Sequence, residues 1–570
     1  MPGPSAPDVG YHRRVSERAA RWRRPFGGAA DRSLRVRSPR RLALWAEQGH
    51  RLRSVVVLLA VVLGFVLLVQ RGTGLGMPSR PPVWVVDAVP AAVSEVVYGR
   101  EKPYTSLAVV TDQYATLLGA TPSPDGPTVD RAIARIAALD PSTVDRSYRL
   151  LGVDDKGIVD FVALAFRLFG LQVAGVFWLY VVVLGLSCGL FTLAWFDRPT
   201  YLAALAGLLT AYFLIMPTLA FNPQVTSILA LRVFPALSMV ACLHGLLFIA
   251  GPSASPRHLG TLVAQLGLII VVEHVRSTTA WQVMVLVVAA LAASALRARQ
   301  RRGWRPVLLT CCPLLLVLVG QVALERYRAW AYPIEYQRGD QILTRGIWHN
   351  IFSGFALEPE MAARYALKID DVSIMGATGQ YLQESGRAQD WLEMGGGSPH
   401  FTRLRWAAYD QAVRDMLVAR CTATPGPCLA AVTLDKPRSL LGNLAWVYGL
   451  RELPPDLDAF TSPEVGDTLK NQITEATHRL DETGLRAHPW SPGVLLLSVL
   501  LAWTMLGAQS GEARATGLAV GALWAGSLLP SLIGYPAPHA IAEPAIATCI
   551  LVVSGLSAAA ARGLRQTWVR

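Results

Sequence analysis

An acidic pair beside an amphipathic segment is the part of the chain best suited to chemistry. Asp155 and the aspartate before it precede residues 158–170, where most side chains are apolar. If this stretch is helical, Lys156, Asp160 and Arg167 fall on one narrow stripe, four and seven residues apart. Such a helix lies along a membrane surface better than it crosses one. Its carboxylates could act on a membrane-embedded substrate, or they could only cap the helix.

Two more candidate carboxylates, Asp87 and Asp112, lie in the polar segment 71–157. With Asp155 they form the predicted catalytic set, because a carboxylate at a membrane surface can deprotonate an acceptor hydroxyl. Such a group could also hold a divalent cation, Mg²⁺ or Mn²⁺, against a lipid-linked phosphate. A solvated loop carries acids by default, so the sequence does not choose among the three.

Charged residues at the end of an apolar run form a candidate binding set. Glu273, His274 and Arg276 stand where a predicted span ends, and charges at membrane depth are costly unless they have a function. Arg276 is suited to bidentate binding of a phosphate. Arg232, between two apolar runs, is predicted to have a similar role. The alternative is that Arg276 extends toward water beside an interfacial Trp281.

Aromatic and imidazole groups elsewhere suggest a sugar or phosphate subsite. Trp348 and His349 lie in the long polar segment 324–490, and His539 lies in a turn that contains three prolines. The prolines predict a rigid turn, which could border the same cavity or only join two helices. The spacing of these residues fits no metal-binding motif.

The seven cysteines separate into two groups. Five lie in apolar runs and are predicted to be small buried residues. Cys421 and Cys428 flank the polar stretch Thr-Ala-Thr-Pro-Gly-Pro. A disulfide between them is predicted, which requires an oxidising compartment.

The composition predicts a multi-pass membrane protein. Apolar residues make up 52% of the 570 residues and charged residues only 16%. The net charge of +13 reflects a basic leader with thirteen arginines in residues 13–53. Because no nucleic-acid motif accompanies them, this leader is predicted to be a cytoplasmic, partly disordered tail that contacts membrane lipids, with no nucleic-acid partner.

Apolar runs predict an all-α fold with about ten transmembrane helices. The basic residues between the predicted spans lie on the same side of the membrane as the two termini, so both termini are predicted to be cytoplasmic. The predicted domains are a tail (1–53), spans 1–7 with the first exterior loop (54–323), an exterior domain of mainly helical structure (324–490) and spans 8–10 (491–570). The ten spans lie near 54–70, 172–196, 200–217, 231–250, 259–274, 280–296, 305–323, 492–508, 515–533 and 543–561.

This arrangement resembles the GT-C class of membrane glycosyltransferases. The resemblance covers residues 54–320 and depends on a long first exterior loop, followed by Asp-Asp-Lys-Gly at 154–157 and Leu-Ala-Phe-Arg-Leu-Phe-Gly at 164–170. In that class an acid early in the first loop is essential, and Asp87 or Asp112 occupies this region. The resemblance implies a polyprenyl-phosphate sugar as donor and a glycan, lipid or protein as acceptor.

The resemblance therefore implies an inverting glycosyltransferase on the outer face of a bacterial cytoplasmic membrane. A non-catalytic assembly or polysaccharide-export partner, which docks through residues 324–490, is the alternative. A transporter ranks third, because few polar or broken helices are predicted at mid-membrane.

Overall fold

The computed structural model describes most of the chain beyond the basic leader, within one compact unit, Leu52–Arg570. Nearly all of the predicted tail, and the candidates Arg232 and His539, lie outside the described residues. The backbone of Asp87 is described but its side chain is not. The described residues are 52, 54–63, 66, 85–99, 102–119, 126–151, 155–220, 234–251, 256–299, 304–338, 346–369, 371–398, 404–452, 492–507, 510–536 and 541–569.

The described chain is a helical membrane protein, as the composition predicted. Five of its helices are long and apolar enough to cross a membrane: Val173–Trp195, Arg257–Val275, Ser277–Arg299, Gly511–Ile533 and Ala542–Leu564. A sixth is possible if Trp406–Ala423 and Pro425–Val447, bent by 115°, form one span. The predicted count of about ten is therefore not confirmed in the part of the chain that is described.

The first polar segment, residues 71–157, forms short helices and a small sheet. Its two strands pair antiparallel, with Thr105 opposite Leu150. The elements up to the first long span are α1 (Val85–Tyr98), β1 (Thr105–Leu107), α2 (Ala108–Gly119), α3 (Gly126–Ala137), β2 (Tyr148–Leu150) and α4 (Ile158–Phe169).

Long apolar helices form the bundle and share one hydrophobic core with the first polar segment. Short polar contacts also join them, for example Ser187 Oγ, which donates to Gln265 Oε1 at 2.8 Å. The bundle helices are α5 (Val173–Trp195), α6 (Pro199–Ala220), α7 (Phe234–Leu237), α8 (Met239–Ala250), α9 (Pro256–Val275), α10 (Ala280–Arg299), α11 (Trp304–Ala331), α20 (Pro492–Gly507), α21 (Ser510–Ile533) and α22 (Ala542–Val569).

The inserted segment, residues 324–490, has a second hydrophobic core that includes Phe352, Tyr409 and Met416. Its helices are short, and Pro or Gly residues stand at several of their ends. They are α12 (Ile334–Arg338), α13 (Ile347–Ser353), α14 (Pro359–Tyr365), α15 (Asp371–Glu384), α16 (Ala388–Glu393), α17 (Trp406–Ala423), α18 (Pro425–Ala430) and α19 (Lys436–Val447), with a π-helical turn at Ala431–Asp435.

Helix α4 is the element that the sequence predicted best. Gly170, at φ 89°, ends the helix in a conformation that favours glycine, and its N–H bonds the Phe166 carbonyl. The predicted polar stripe contacts protein rather than solvent alone: Arg167 pairs with Glu95 at 2.6 Å, and the Lys156 ammonium lies 4.5 Å from the centre of the Tyr336 ring. The stripe thus fixes the helix on its neighbours.

Candidate functional site

Asp155 and Arg276, separated by 121 residues, form a buried ion pair. Arg276 Nη1 donates to Asp155 Oδ2 at 2.6 Å, and the Ser277 N–H donates to Asp155 Oδ1 at 3.1 Å. The two side chains are only 2% and 11% exposed. Since both carboxylate oxygens accept hydrogen bonds from the Arg276 segment, Asp155 is placed to orient the Arg276 guanidinium.

The pair depends on close contact between the start of α4 and the end of α9. Gly157 lies against the backbone of His274, and a Cβ at position 157 would be only 2.2 Å from the His274 carbonyl oxygen. No side chain larger than hydrogen fits there without movement of the backbone. The glycine between Asp155 and Asp160 therefore brings one carboxylate to His274, in the last turn of α9, and the other to Arg276, just after that helix.

Asp155 and Arg276 line a cavity of ≈ 500 Å³ at one end of the bundle. Trp281 forms part of the same wall, whereas Asn350 and Tyr535 come from the inserted segment and from the chain after α21. Most of the lining is apolar and a few polar groups converge on it, as is typical of small-molecule sites. The volume is in the range that such ligands occupy.

A second carboxylate interacts with Arg276 but is not among the residues that line the cavity. Glu543, 7% exposed, lies beside Trp281 and close enough to Arg276 to interact with its charge. The buried Nε of Arg276 has no hydrogen-bond partner among the described residues. This N–H group of the guanidinium favours a ligand that brings an oxygen acceptor to Arg276.

A hydrogen-bond network centred on Asp160 lies beside this pair. Asp160 Oδ2 accepts from Tyr104 Oη at 2.5 Å and lies 2.9 Å from His274 Nε2. Tyr104 Oη is also 2.7 Å from Tyr327 Oη. The carboxylate is 35% exposed, and Tyr327 reaches the surface. A carboxylate supported by an imidazole and two phenols, and open to solvent, is an arrangement suited to proton transfer.

Tyr104 is held at the centre of this network in an unusual backbone conformation. Its φ is 55°, in the left-handed region that a bulky residue rarely adopts. The ring is fully buried, and its carbonyl accepts from Tyr336 Oη at 2.9 Å. Burial, followed by the nearby Asp160 charge, raises the pKa of the Tyr104 phenol. The phenol therefore acts as a hydrogen-bond donor, and surrounding contacts compensate its backbone strain.

The structure brings only part of the predicted site together. Of the predicted set, Asp155 and Arg276 line the cavity, and His274 belongs to the Asp160 network. Glu273 instead accepts from Gln321, and the Arg328 guanidinium reaches the Glu273 carbonyl at 3.3 Å.

Other predicted residues lie away from the cavity lining. Asp112 forms an exposed ion pair with Arg149 at 2.8 Å. His349 is 1% exposed, and its Nδ1 lies 2.7 Å from Tyr409 Oη, which is the arrangement of a structural histidine. Trp348 packs against the second core. Among the described residues, no three His, Cys, Asp or Glu side chains are grouped as a metal site.

Cys421 and Cys428 form a disulfide in the structure. It links the end of α17 to α18 across a sequence separation of seven residues. The other five cysteines are free.

Sequence reasoning missed Tyr104, Tyr327 and the role of Asp160. The only signal for Asp160 was its place on the polar stripe of α4. No signal was available for the tyrosines, since their partners lie 56 and 223 residues away from Tyr104 in the chain.

Comparison with known proteins adds no relative: no family model, curated protein or solved structure matches this chain.

Proposed function

We propose that the protein transfers a sugar from a polyprenyl-phosphate carrier to an acceptor hydroxyl, on the exterior face of a bacterial cytoplasmic membrane. The observation that carries this proposal is the buried Asp155–Arg276 pair in the wall of a ≈ 500 Å³ cavity at one end of an apolar bundle. An oriented guanidinium, mostly apolar walls and adjacent spans suit the three parts of such a donor: phosphate, sugar and isoprenoid tail.

On the donor side, Arg276 binds the carrier phosphate and Asp155 holds the guanidinium in place. As the bond between the sugar C1 and the phosphate oxygen breaks, its electron pair passes to that oxygen. A fixed positive charge stabilises the phosphate more as its charge grows, so it lowers the barrier.

On the acceptor side, Asp160 is the described carboxylate whose surroundings best fit a general base. It accepts the proton of the attacking hydroxyl while the hydroxyl oxygen forms the new bond to C1, with inversion at that carbon. His274 and Tyr104 orient the carboxylate, which belongs to the residue five positions after Asp155. Asp160 is not among the residues that line the cavity, so the acceptor hydroxyl is proposed to reach it from the solvent-exposed side of the network.

A second candidate function is that of a membrane assembly or polysaccharide-export partner. The separate hydrophobic core of the inserted segment favours it, because a region with its own core can present a docking surface. In that case Asp160 and Arg276 would tolerate substitution without loss of function.

The test is a transfer assay in proteoliposomes that contain a panel of polyprenyl-phosphate monosaccharides. We expect wild type to convert at least one donor, and Asp160→Asn or Arg276→Ala to lower turnover by about 10²-fold or more. Asp112→Asn is the matched control, since it removes an exposed loop carboxylate outside the cavity lining. Equal turnover in all variants, or no donor consumed by wild type, would reject the proposal.

A further inference from the structure

The segment Pro425–Val447, comprising α18, the π-helical turn and α19, exposes several large aliphatic side chains. Leu429, Leu434 and Leu441 are 65%, 64% and 66% exposed. Val432 is exposed beside them. A surface that leaves four such side chains in water is unfavourable, and a contiguous apolar patch of this kind marks an interaction site.

Lys436 fixes the start of α19 to the bundle. Its ammonium group donates to the Ile533 carbonyl at 2.9 Å and to the Ile351 carbonyl at 3.3 Å, and the residue is 1% exposed. Ile533 is the last residue of α21, where the partial negative charge of a helix terminus favours a cation. Both acceptor residues also line the ≈ 500 Å³ cavity.

Two further hydrogen bonds fix the position of α19 relative to the bundle helices. Asn443 Nδ2 donates to the Pro536 carbonyl at 2.5 Å. Tyr448 Oη donates to the Ala545 carbonyl at 2.6 Å, within the first turn of α22. Helix α19 therefore follows the ends of two candidate spans, α21 and α22, rather than projecting away from them.

The two spans to which α19 is hydrogen-bonded also expose large aliphatic side chains, among them Leu518 on α21 and Val552 on α22. Side chains of this kind on a membrane helix face lipid. The patch on residues 429–441 therefore belongs to a segment that is fixed to the ends of two helices with lipid-facing side chains.

A single exposed cation interrupts this patch. Arg438 stands between Leu434, in the π-helical turn, and Leu441, three residues farther along α19, so that Arg438 and Leu441 share a helix face. An arginine among leucines is typical of helices at a membrane surface, where the apolar side chains enter the hydrocarbon and the guanidinium reaches lipid phosphates.

We infer that residues 429–441 are embedded in the lipid leaflet at this end of the bundle, with the aliphatic side chains in hydrocarbon and Arg438 at the headgroups. The occupant of the patch is phospholipid, not a protein partner. This inference does not depend on the proposed transfer reaction. Through Lys436 it places the leaflet beside the cavity, and it assigns to the membrane a part of the segment that the sequence alone predicted to be exterior and soluble.

The direct test uses the wild-type protein in nanodiscs whose phosphatidylcholine carries a diazirine at the upper part of an acyl chain. After irradiation, lipid adducts are mapped by mass spectrometry. We expect adducts on residues 429–441 to be roughly tenfold more abundant than on the peptide around Leu392, a leucine 60% exposed in the same inserted segment. Equal labelling of the two peptides, or none on residues 429–441, would overturn the inference.

A second measurement excludes a protein occupant. Leu434→Cys and Leu441→Cys, each labelled with an environment-sensitive fluorophore, are expected to show blue-shifted emission and strong quenching by spin-labelled lipid, unlike Leu392→Cys. The five free cysteines are replaced and the Cys421–Cys428 disulfide is kept. Disulfide-linked dimers of the unlabelled Leu434→Cys protein after addition of an oxidant, together with emission of the labelled protein that spin-labelled lipid does not quench, would assign the patch to a second copy instead.

Discussion

Gly157 rests directly against the backbone carbonyl of His274, and this contact joins the two segments that carry the candidate site. On either side of it, Asp155 pairs with Arg276 and Asp160 contacts His274. One glycine contact is thus flanked by a phosphate-binding candidate and an acid–base candidate. Their relative position depends on how closely α4 approaches the end of α9.

Replacing Gly157 should move the Asp155–Arg276 and Asp160–His274 pairs apart. We expect Gly157→Ala to destabilise the protein by about 1–3 kcal/mol, because the new methyl group would overlap backbone atoms that cannot rotate away. Gly267→Ala is the control, since a Cβ there meets no other atom within 4 Å and position 267 lies in the same helix as His274. Thermal unfolding of both variants in detergent measures the difference. Equal melting temperatures would show that the contact is not tight.

Replacing only one partner of the Asp155–Arg276 pair should destabilise the protein strongly. Arg276→Ala leaves the Asp155 carboxylate buried without its partner, and we expect a loss of about 3–5 kcal/mol in the free energy of unfolding. The double variant Asp155→Asn with Arg276→Ala should recover part of that loss, because it removes the uncompensated charge. Additive effects of the two substitutions in a double-mutant cycle would contradict a direct pair.

The contribution of Tyr104 to stability should decrease at alkaline pH. Burial and the Asp160 charge raise the pKa of the Tyr104 phenol in the folded protein, so above the ordinary value of about 10 only the unfolded chain releases this proton. The stabilisation from this protonated phenol is complete below pH ~10 and declines as pH rises further. The gap in stability between wild type and Tyr104→Phe should therefore be constant from pH 7 to 9 and narrow above pH ~10. A gap that widens would mean that the phenol ionises easily in the fold.

The disulfide should be present in protein isolated from an oxidising compartment. Alkylation under denaturing conditions is expected to modify five cysteines without reductant and all seven after reduction. Loss of the cross-link in Cys421→Ser with Cys428→Ser should reduce stability by about 2–3 kcal/mol, the value for a short closed loop. Seven modified cysteines without reductant would contradict the cross-link.

Local features of the chain were predictable from sequence, whereas contacts between distant residues were not. The apolar run and Gly170 predicted α4, and the spacing of Cys421 and Cys428 predicted a disulfide, because each depends on neighbouring residues. Asp155 and Arg276 were both named from sequence, but their pairing joins positions 121 residues apart. The Asp160 network was missed for the same reason. The sequence predicted His349 as a binding residue, whereas the structure buries it against Tyr409.

The number of membrane spans was also not predictable from the sequence alone. Apolar runs predicted about ten spans, whereas five described helices meet the length and composition of a span. Helix α19 is the converse case, because it was not among the predicted spans and yet packs along the end of the bundle through Lys436 and Tyr448.

The most direct test of the account is the binding of polyprenyl phosphate to the protein in nanodiscs, measured by native mass spectrometry. We expect wild type to bind polyprenyl phosphate in preference to the uncharged polyprenol. Arg276→Ala should weaken binding by about tenfold or more, and Arg276→Lys by less, because lysine keeps the charge but not the bidentate geometry. Arg149→Ala, which removes an exposed arginine paired with Asp112, should bind as wild type does. Equal affinity for phosphate and alcohol, or unchanged binding in Arg276→Ala, would contradict the claim that this cavity receives a lipid-linked phosphate.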